Sequence, residues 1–269
     1  MITILLAILA AGGSFSAAYF GADFGLGWSI FLGLAAFMVV QATLGIMLQK
    51  RLKRDMEGVQ QILANGQKKL QLKTQSWQFR PPSSLAAAQK EIFEDTRTFV
   101  HAAIAEVDKL SRYRGWVPLI DRQLATAKVN LHWMIKEFDA VDKLMPRVML
   151  IDPLMAAIKM ARMYMKGESN EALEKVYRKG ARRLRYNQNV LLAALWSWIL
   201  VKRNDVDGAF KALTEALKSS DNEVLKANHE RLMNNRPLQF TNSQLGDQWF
   251  ALHLEEPKVH MQRQRSVYR

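Results

Sequence analysis

Two apolar runs open the chain. From Ile2 to Phe20 and again from Trp28 to Leu48 no residue is acidic or basic except Asp23 between them, and up to Gln49 the only other ionisable group is Tyr19. As a helix rising about 1.5 Å per residue the first run is about 28 Å long, the thickness of a bilayer's hydrocarbon core. Neither run has a polar face, so neither suits a soluble core helix with one side in water. The link from Gly21 to Gly27 is short and rich in glycine. Helices joined so tightly lie antiparallel, and residues 1–49 are expected to form a transmembrane helical hairpin. A cleavable signal peptide would begin with positive charge and have a shorter apolar stretch, and this sequence has neither feature. Gly12, Gly13, Ser16 and Ala17 supply small-xxx-small pairs that let helices approach closely in lipid.

Beyond Gln49 the pattern becomes amphipathic. Leu52, Met56, Val59, Leu63, Gly66 and Leu70 recur at helical spacing, predicting that the second helix continues with an apolar seam. The seam suits packing on the body or on a second copy of the chain, a homo-oligomer through this juxtamembrane helix. Pro81 and Pro82 lack amide donors and end the helix, which makes 50–82 a basic juxtamembrane helix and linker. Ser83 or Ser84 is placed to cap the next helix, whose apolar face runs Leu85, Ala88, Ile92, Phe99, Ala103, Val107, Leu110. Pro118 suits the first turn of another, where apolar residues from Ile120 to Met145 alternate by four and three without a miss. Residues 83–146 are therefore expected to be a long antiparallel helical hairpin. Asp152-Pro153 starts a third region, 152–257, with Asp as N-cap and Pro at the first helical position. Asn222 to Asn234 and Asn242 to Leu254 predict further helices, the last an amphipathic cap.

Charge orients the chain. Hydrophobic residues make up 49% and charged residues 23%, with a net charge of +13. Lys50, Arg51, Lys53 and Arg54 follow the second run directly, whereas the link carries only Asp23. By the positive-inside rule the body is cytoplasmic and the link is outside; a bacterial inner membrane is the expected location. A second basic stripe, Lys175, Arg178, Arg182 and Arg185 with Lys179 and Arg183 beside it, has Glu171 and Glu174 only near its helix start, where they complement the dipole. These two groups of cations are the candidate contacts to an anionic surface, membrane lipid above all. The tail 258–269, with Lys258, Arg263, Arg265 and Arg269, is expected to be disordered and to add to the same field. Nucleic acid is not expected as a partner, since charge alone points to it.

Chemistry is sparse. With no cysteine there is no disulfide, thiolate nucleophile or thiolate-bound zinc. No phosphate-binding glycine loop, nucleophile elbow or dinucleotide fingerprint occurs. The five histidines, His101, His132, His229, His253 and His260, share no helical spacing. No catalytic, cofactor-binding or metal-ligating residue is expected, and the chain is not expected to be an enzyme.

Val190 to about Glu223 resembles a tetratricopeptide repeat, a helix pair of about 34 residues with large, small and aromatic residues at fixed offsets: Trp196, Leu200, Ala209, Leu213, Ala216 and Leu217 fall at its packing positions, and Asn204 stands for the turn glycine. Pro153 to Tyr186 resembles an earlier copy, with Gly167 and Ala172 correctly spaced but Lys179 where the family prefers Ala. The predicted fold is thus all-α: transmembrane hairpin, helical hairpin, tetratricopeptide-like α-solenoid. The layout is similar to membrane proteins of the HemY type. In the repeat family the first helix of each repeat lines a groove for a partner peptide, which implies here Leu154, Ala157, Ala161, Tyr164 and Met165, then Leu191, Ala194, Trp198, Val201 and Lys202. The alternative is that these residues pack on the preceding hairpin or on the C-terminal segment. On this resemblance Trp196 belongs to the core, and Trp198 faces the partner and tolerates truncation. The expected role is a membrane-anchored scaffold that binds protein partners of a membrane complex. The alternatives are a helical membrane protein binding anionic lipid or RNA through its basic face, or an integral membrane enzyme subunit.

Overall fold

The computed structural model describes residues 2–150, 152–182 and 187–257. Among them every regular element is a helix. The chain divides into two compact units, Met1–Val148 and Met149–Arg269. The apolar, juxtamembrane and central segments thus share one unit.

In the first unit α1 (Ile2–Ser16) passes through a wider turn, Ala17–Gly21, into a short link and then α2 (Leu26–Ser76). α1 taken with that turn, Ile2–Gly21, and α2 are both long and apolar enough to cross a membrane. They pack side by side at small residues, with Gly33 against the Ala11 carbonyl and Phe15. α2 is a single helix of 51 residues, about 77 Å at 1.5 Å per residue, and it stops short of Pro81 as its sequence requires. Its second half carries the seam: Val59 is buried, and Leu52, Met56 and Leu63 pack against the same core, formed with Val100, Ala103 and Val107 of α3 (Leu85–Lys109). The seam thus packs on α3 of the same chain. Ser84 caps α3, its hydroxyl accepting from Ala87 N at 3.1 Å. Lys73 near the end of α2 pairs with Glu91 at 2.6 Å and with Asp95, and both carboxylates hold its ammonium above the usual lysine range.

The next segment departs from its pattern. Pro118 precedes the helix, and α4 begins at Ile120 after Leu119 in a left-handed conformation (φ 61°). Nor is 120–145 one helix: α4 (Ile120–Met134) stops, and α5 (Phe138–Leu144) starts in a new direction of chain. Lys136 has φ 57°, Glu137 N donates to His132 O at 3.0 Å and Lys136 N to Trp133 O at 3.1 Å. That is the hydrogen-bond pattern of a left-handed helix stop, here without the glycine that favours it. The side chain of Glu137 compensates: its carboxylate meets His132 Nδ1 at 2.8 Å, His101 Nε2 at 3.0 Å and Arg97 Nη2 at 3.5 Å. Tertiary ionic contacts thus override an unbroken periodicity.

The second unit contains α6 (Pro153–Met165), α7 (Asn170–Ala181), α8 (Val190–Lys202), α9 (Val206–Leu217) and α10 (Glu223–Met233). Side chains cap most of them: Asp152 accepts from Leu154 N at 3.2 Å, Ser169 from Ala172 N at 3.3 Å, Asp205 from Gly208 N at 2.9 Å and Asn222 from Val224 N at 3.0 Å and Leu225 N at 3.2 Å, satisfying first-turn amides that have no partner within the helix. Asn204 supplies a positive φ of 60° in the turn between α8 and α9. The expected helix 242–254 shrinks to a short turn, Ser243–Leu245, and α11 (Asp247–Phe250). Gly246 at φ 62° separates them, and the Asn242 side chain is drawn inward instead, donating to Ala194 O at 2.8 Å.

Two substitutions test this packing. A Cβ on Gly66 would lie 2.7 Å from Phe99 Cδ2 and nearer still to two other ring atoms. Gly66→Ala gains about 1 kcal/mol of helix propensity but forces an overpacking cost of about 1–3 kcal/mol. The ring's own base is what clashes, beside fully buried Val100, so a net loss of stability on thermal unfolding is expected. Burial raises the Glu137 carboxyl pKa, but His132, His101 and Arg97 outweigh that and hold it below its ordinary value. A depressed carboxyl stabilises above its unfolded pKa and loses that contribution as pH falls through the folded one. Glu137→Gln should therefore cost about 1 kcal/mol near neutral pH, and the difference from wild type should close in the acid limb of a pH–stability profile.

Candidate functional site

α8 organises the second unit. Its sequence, Val190 to Val201, has no charged residue, and every side chain from Leu191 to Leu200 is buried. A helix apolar on all sides must be covered on all sides. α6, α7 and α9 pack against it, and the C-terminal segment supplies the remaining cover. Trp249 and Leu252, both fully buried, sit there, with the Trp249 ring 5.6 Å from that of Trp198. Glu255 closes the contact: one carboxylate oxygen accepts from Trp198 Nε1 and the other from Trp249 Nε1, each at 2.8 Å. Fully buried Asn228 of α10 holds the approach, donating to Thr241 O at 3.0 Å and to Asn242 Oδ1 at 2.8 Å.

The implied groove is thus filled from within the chain. Ala157, Ala161, Leu191, Ala194 and Trp198 are buried, Tyr164, Met165 and Val201 half-buried, and Leu154 and Lys202 exposed. Tyr164 stacks edge-on to Trp198 at 5.3 Å, and the Lys202 ammonium lies 5.3 Å over the Trp198 ring. Trp198 is as buried as Trp196, at 5% against 6% exposure, so the division into a partner-facing and a core tryptophan is corrected. The signal that no face of α8 stays open was the lack of any charged residue before Lys202, with Ser197 its one other polar residue, bonded back to Ala193 O.

The open concavity lies on the other side of α8. α7 and α9 form walls around a cleft of about 730 Å³ whose floor includes Trp196 and Leu200. Tyr177 stacks on Trp196 at 5.9 Å, and burial, with the Glu215 carboxylate adding to it, pushes its hydroxyl pKa up. Both signs of charge line the walls, among them Glu174, Arg178, Lys211 and Glu215. At one end the Asn189 side-chain oxygen is buried without a hydrogen-bond partner among the described residues. Such a cleft can hold a polar segment with an N–H donor and has the size of a ligand site. The near approach of α7 to its neighbours comes from Gly180, where a Cβ would lie 2.7 Å from Leu192 Cδ2 and 3.2 Å from Ala156 Cβ. The small packing residue of this helix is therefore Gly180, one position after Lys179.

The basic stripe is only partly within the described residues. Lys175, Arg178, Lys179 and Arg182 border one shallow recess of about 450 Å³, and Arg178 Nη2 also pairs with Glu174 at 2.6 Å. Arg183, Arg185 and the tail from Lys258 lie outside them. Lys50, Arg51, Lys53 and Arg54 are exposed on α2. Comparison with protein-family models, curated proteins and solved structures finds no match to this chain.

Glu255→Gln replaces one acceptor with an amide N–H₂ and leaves a buried indole donor unsatisfied, an expected cost of about 1–3 kcal/mol. Trp198→Ala should cost about 3–5 kcal/mol, as much as Trp196→Ala. Thermal unfolding of the purified full-length protein measures all three.

Proposed function

We propose that the chain is a membrane-anchored adaptor: α1 and α2 cross a bacterial inner membrane, and a cytoplasmic, tetratricopeptide-like body holds protein partners of a membrane complex. The observation that carries this reading is where the large apolar side chains are exposed. Most of them fall between Ile2 and Met47, among them Leu5 at 60%, Leu9 at 71%, Phe20 at 80% and Met38 at 66%. Contiguous apolar surface of that extent needs a lipid or protein cover, and the four basic residues that follow it support the cytoplasmic side for the body.

The pairs α6–α7 and α8–α9 support a repeat-like body. Each has a positive-φ residue in its turn, Gly167 at 74° and Asn204 at 60°, and Ala209, Leu213 and Ala216 are buried. The shared layout with HemY-type proteins is the analogy that goes with this reading, and fold analogy alone names no partner. Because the family's usual groove is self-filled, the cleft between α7 and α9 is the better docking face. A second reading, anion binding through the body, is favoured by the recess shared by Lys175, Arg178, Lys179 and Arg182.

Two measurements test the adaptor. A reporter active only outside the cytoplasm, fused after Arg269, should stay silent. Gently solubilised full-length protein should copurify with a stoichiometric protein partner, and Ala212→Trp, which fills the cleft, should release it with the fold intact by thermal unfolding. An active reporter overturns the orientation. A chain that purifies alone overturns the adaptor in favour of the anion-binding reading.

A further inference from the structure

A cleft in the first unit, of about 750 Å³, lies where the apolar half of α2 ends. Leu44, Met47 and Leu48 line one part of it, and Arg51 and Arg54 the next. These residues recur at three- and four-residue spacing, so they share a face of the helix, which changes from apolar to cationic within about one turn. The opposite wall is the turn after α3, carrying Arg112, Tyr113 and Trp116. This turn is tied to the start of α1: Ile2 N donates to Gly115 O at 2.9 Å, and the Thr3 hydroxyl to Trp116 O at 3.4 Å. The cleft is thus level with both the beginning of α1 and the end of the apolar run of α2.

Its charges are arranged rather than scattered. Asp55 accepts from Tyr113 Oη at 2.6 Å and pairs with Arg112, and these two partners, Tyr113 foremost, with the nearby Arg54 charge adding to them, hold its carboxyl below the usual range. The carboxylate neutralises about one of the three guanidinium charges and fixes Arg112, whose guanidinium carbon lies 5.1 Å from the Tyr113 ring centroid. Arg51 and Arg54 make no ion pair among the described residues and are exposed. A surplus of cationic charge remains, one helical turn from an apolar wall, with a tryptophan at the boundary as at membrane interfaces.

We propose that this cleft binds one anionic phospholipid, its phosphate held by Arg51, Arg54 and Arg112 and an acyl chain lying along Leu44, Met47 and Leu48. A phospholipid brings a phosphate to the cationic half of the cleft and an alkyl chain to the apolar half. A free phosphate would leave the apolar wall uncovered. The site rests on the reading of α1 and α2 as membrane helices.

Full-length protein in detergent micelles, titrated with phosphatidylglycerol or with phosphatidylcholine of the same chains, is read by native mass spectrometry. One phosphatidylglycerol should be retained about thirtyfold more tightly than phosphatidylcholine, Arg51 and Arg54 each contributing about fivefold toward a net anionic lipid. Arg51→Gln with Arg54→Gln should remove that preference. Lys68→Gln with Lys69→Gln, an equal loss of charge further along α2, should keep it, and added inorganic phosphate should not displace the lipid. Equal retention of the two lipids, equal loss in both double variants, or displacement by phosphate each overturns the site. Alkaline extraction separates this from the anchoring: protein that stays with the membrane but shows no preference loses only the lipid site, whereas protein that is extracted loses both.

Discussion

Because α2 is one helix from Leu26 to Ser76, the rotation that turns Val59 and Gly66 toward α3 also fixes which side of its apolar half meets α1. Every turn of an unbroken helix is tied to the next by its own hydrogen bonds, so two unlike surroundings have to be satisfied in nearly one register. The first half exposes apolar side chains on most of its circumference, and the second narrows to a seam covered by α3. Small residues make both fits possible: Gly33 admits α1 and Gly66 admits the Phe99 ring. The arrangement of the first unit depends on these two close approaches along one rod.

In the second unit the corresponding constraint is the burial of α8. Ten consecutive side chains, Leu191 to Leu200, have to leave solvent, and three neighbouring helices cannot surround a fourth completely. The C-terminal segment completes the cover, and the carboxylate of Glu255 removes its polar cost by accepting from two indoles. Unpaired, each buried N–H would carry a penalty of about 1–3 kcal/mol. The segment is thus a structural wall, and the free concavity moves to the other face, between α7 and α9.

Several helix starts were legible in the sequence because caps are local: of Ser83 and Ser84 it is Ser84 that bonds the first turn of α3, and Asp152 bonds that of α6. The end of α2 before Pro81 follows from the same kind of short-range rule. What periodicity could not give were the interruptions made by distant partners. The break at Lys136 depends on His101 and Arg97 meeting Glu137, and no spacing within 120–145 encodes that. The loss of helix at 242–254 follows from Asn242 reaching a carbonyl of α8. Gly180 was visible but one position from where the repeat pattern places a small residue. The direction in which Trp198 faces was decidable from the polarity of α8 as a whole, whereas the cleft around Asn189 and Tyr177 needed the angle between α7 and α9, which sequence does not state.

The hydrogen bond from Ile2 N to Gly115 O gives α1 a mechanical role. The first amides of a helix have no partner within it, and here one is taken by the turn that follows α3. Sliding α1 along α2 by a single helical turn, about 5.4 Å, would carry Ile2 out of reach of that carbonyl and draw Thr3 away from Trp116. The apolar pair and the α3–α4 turn are therefore geared together. A shift of α1 along its axis is felt at Tyr113 and Arg112, and a displacement of that turn is felt at the start of α1.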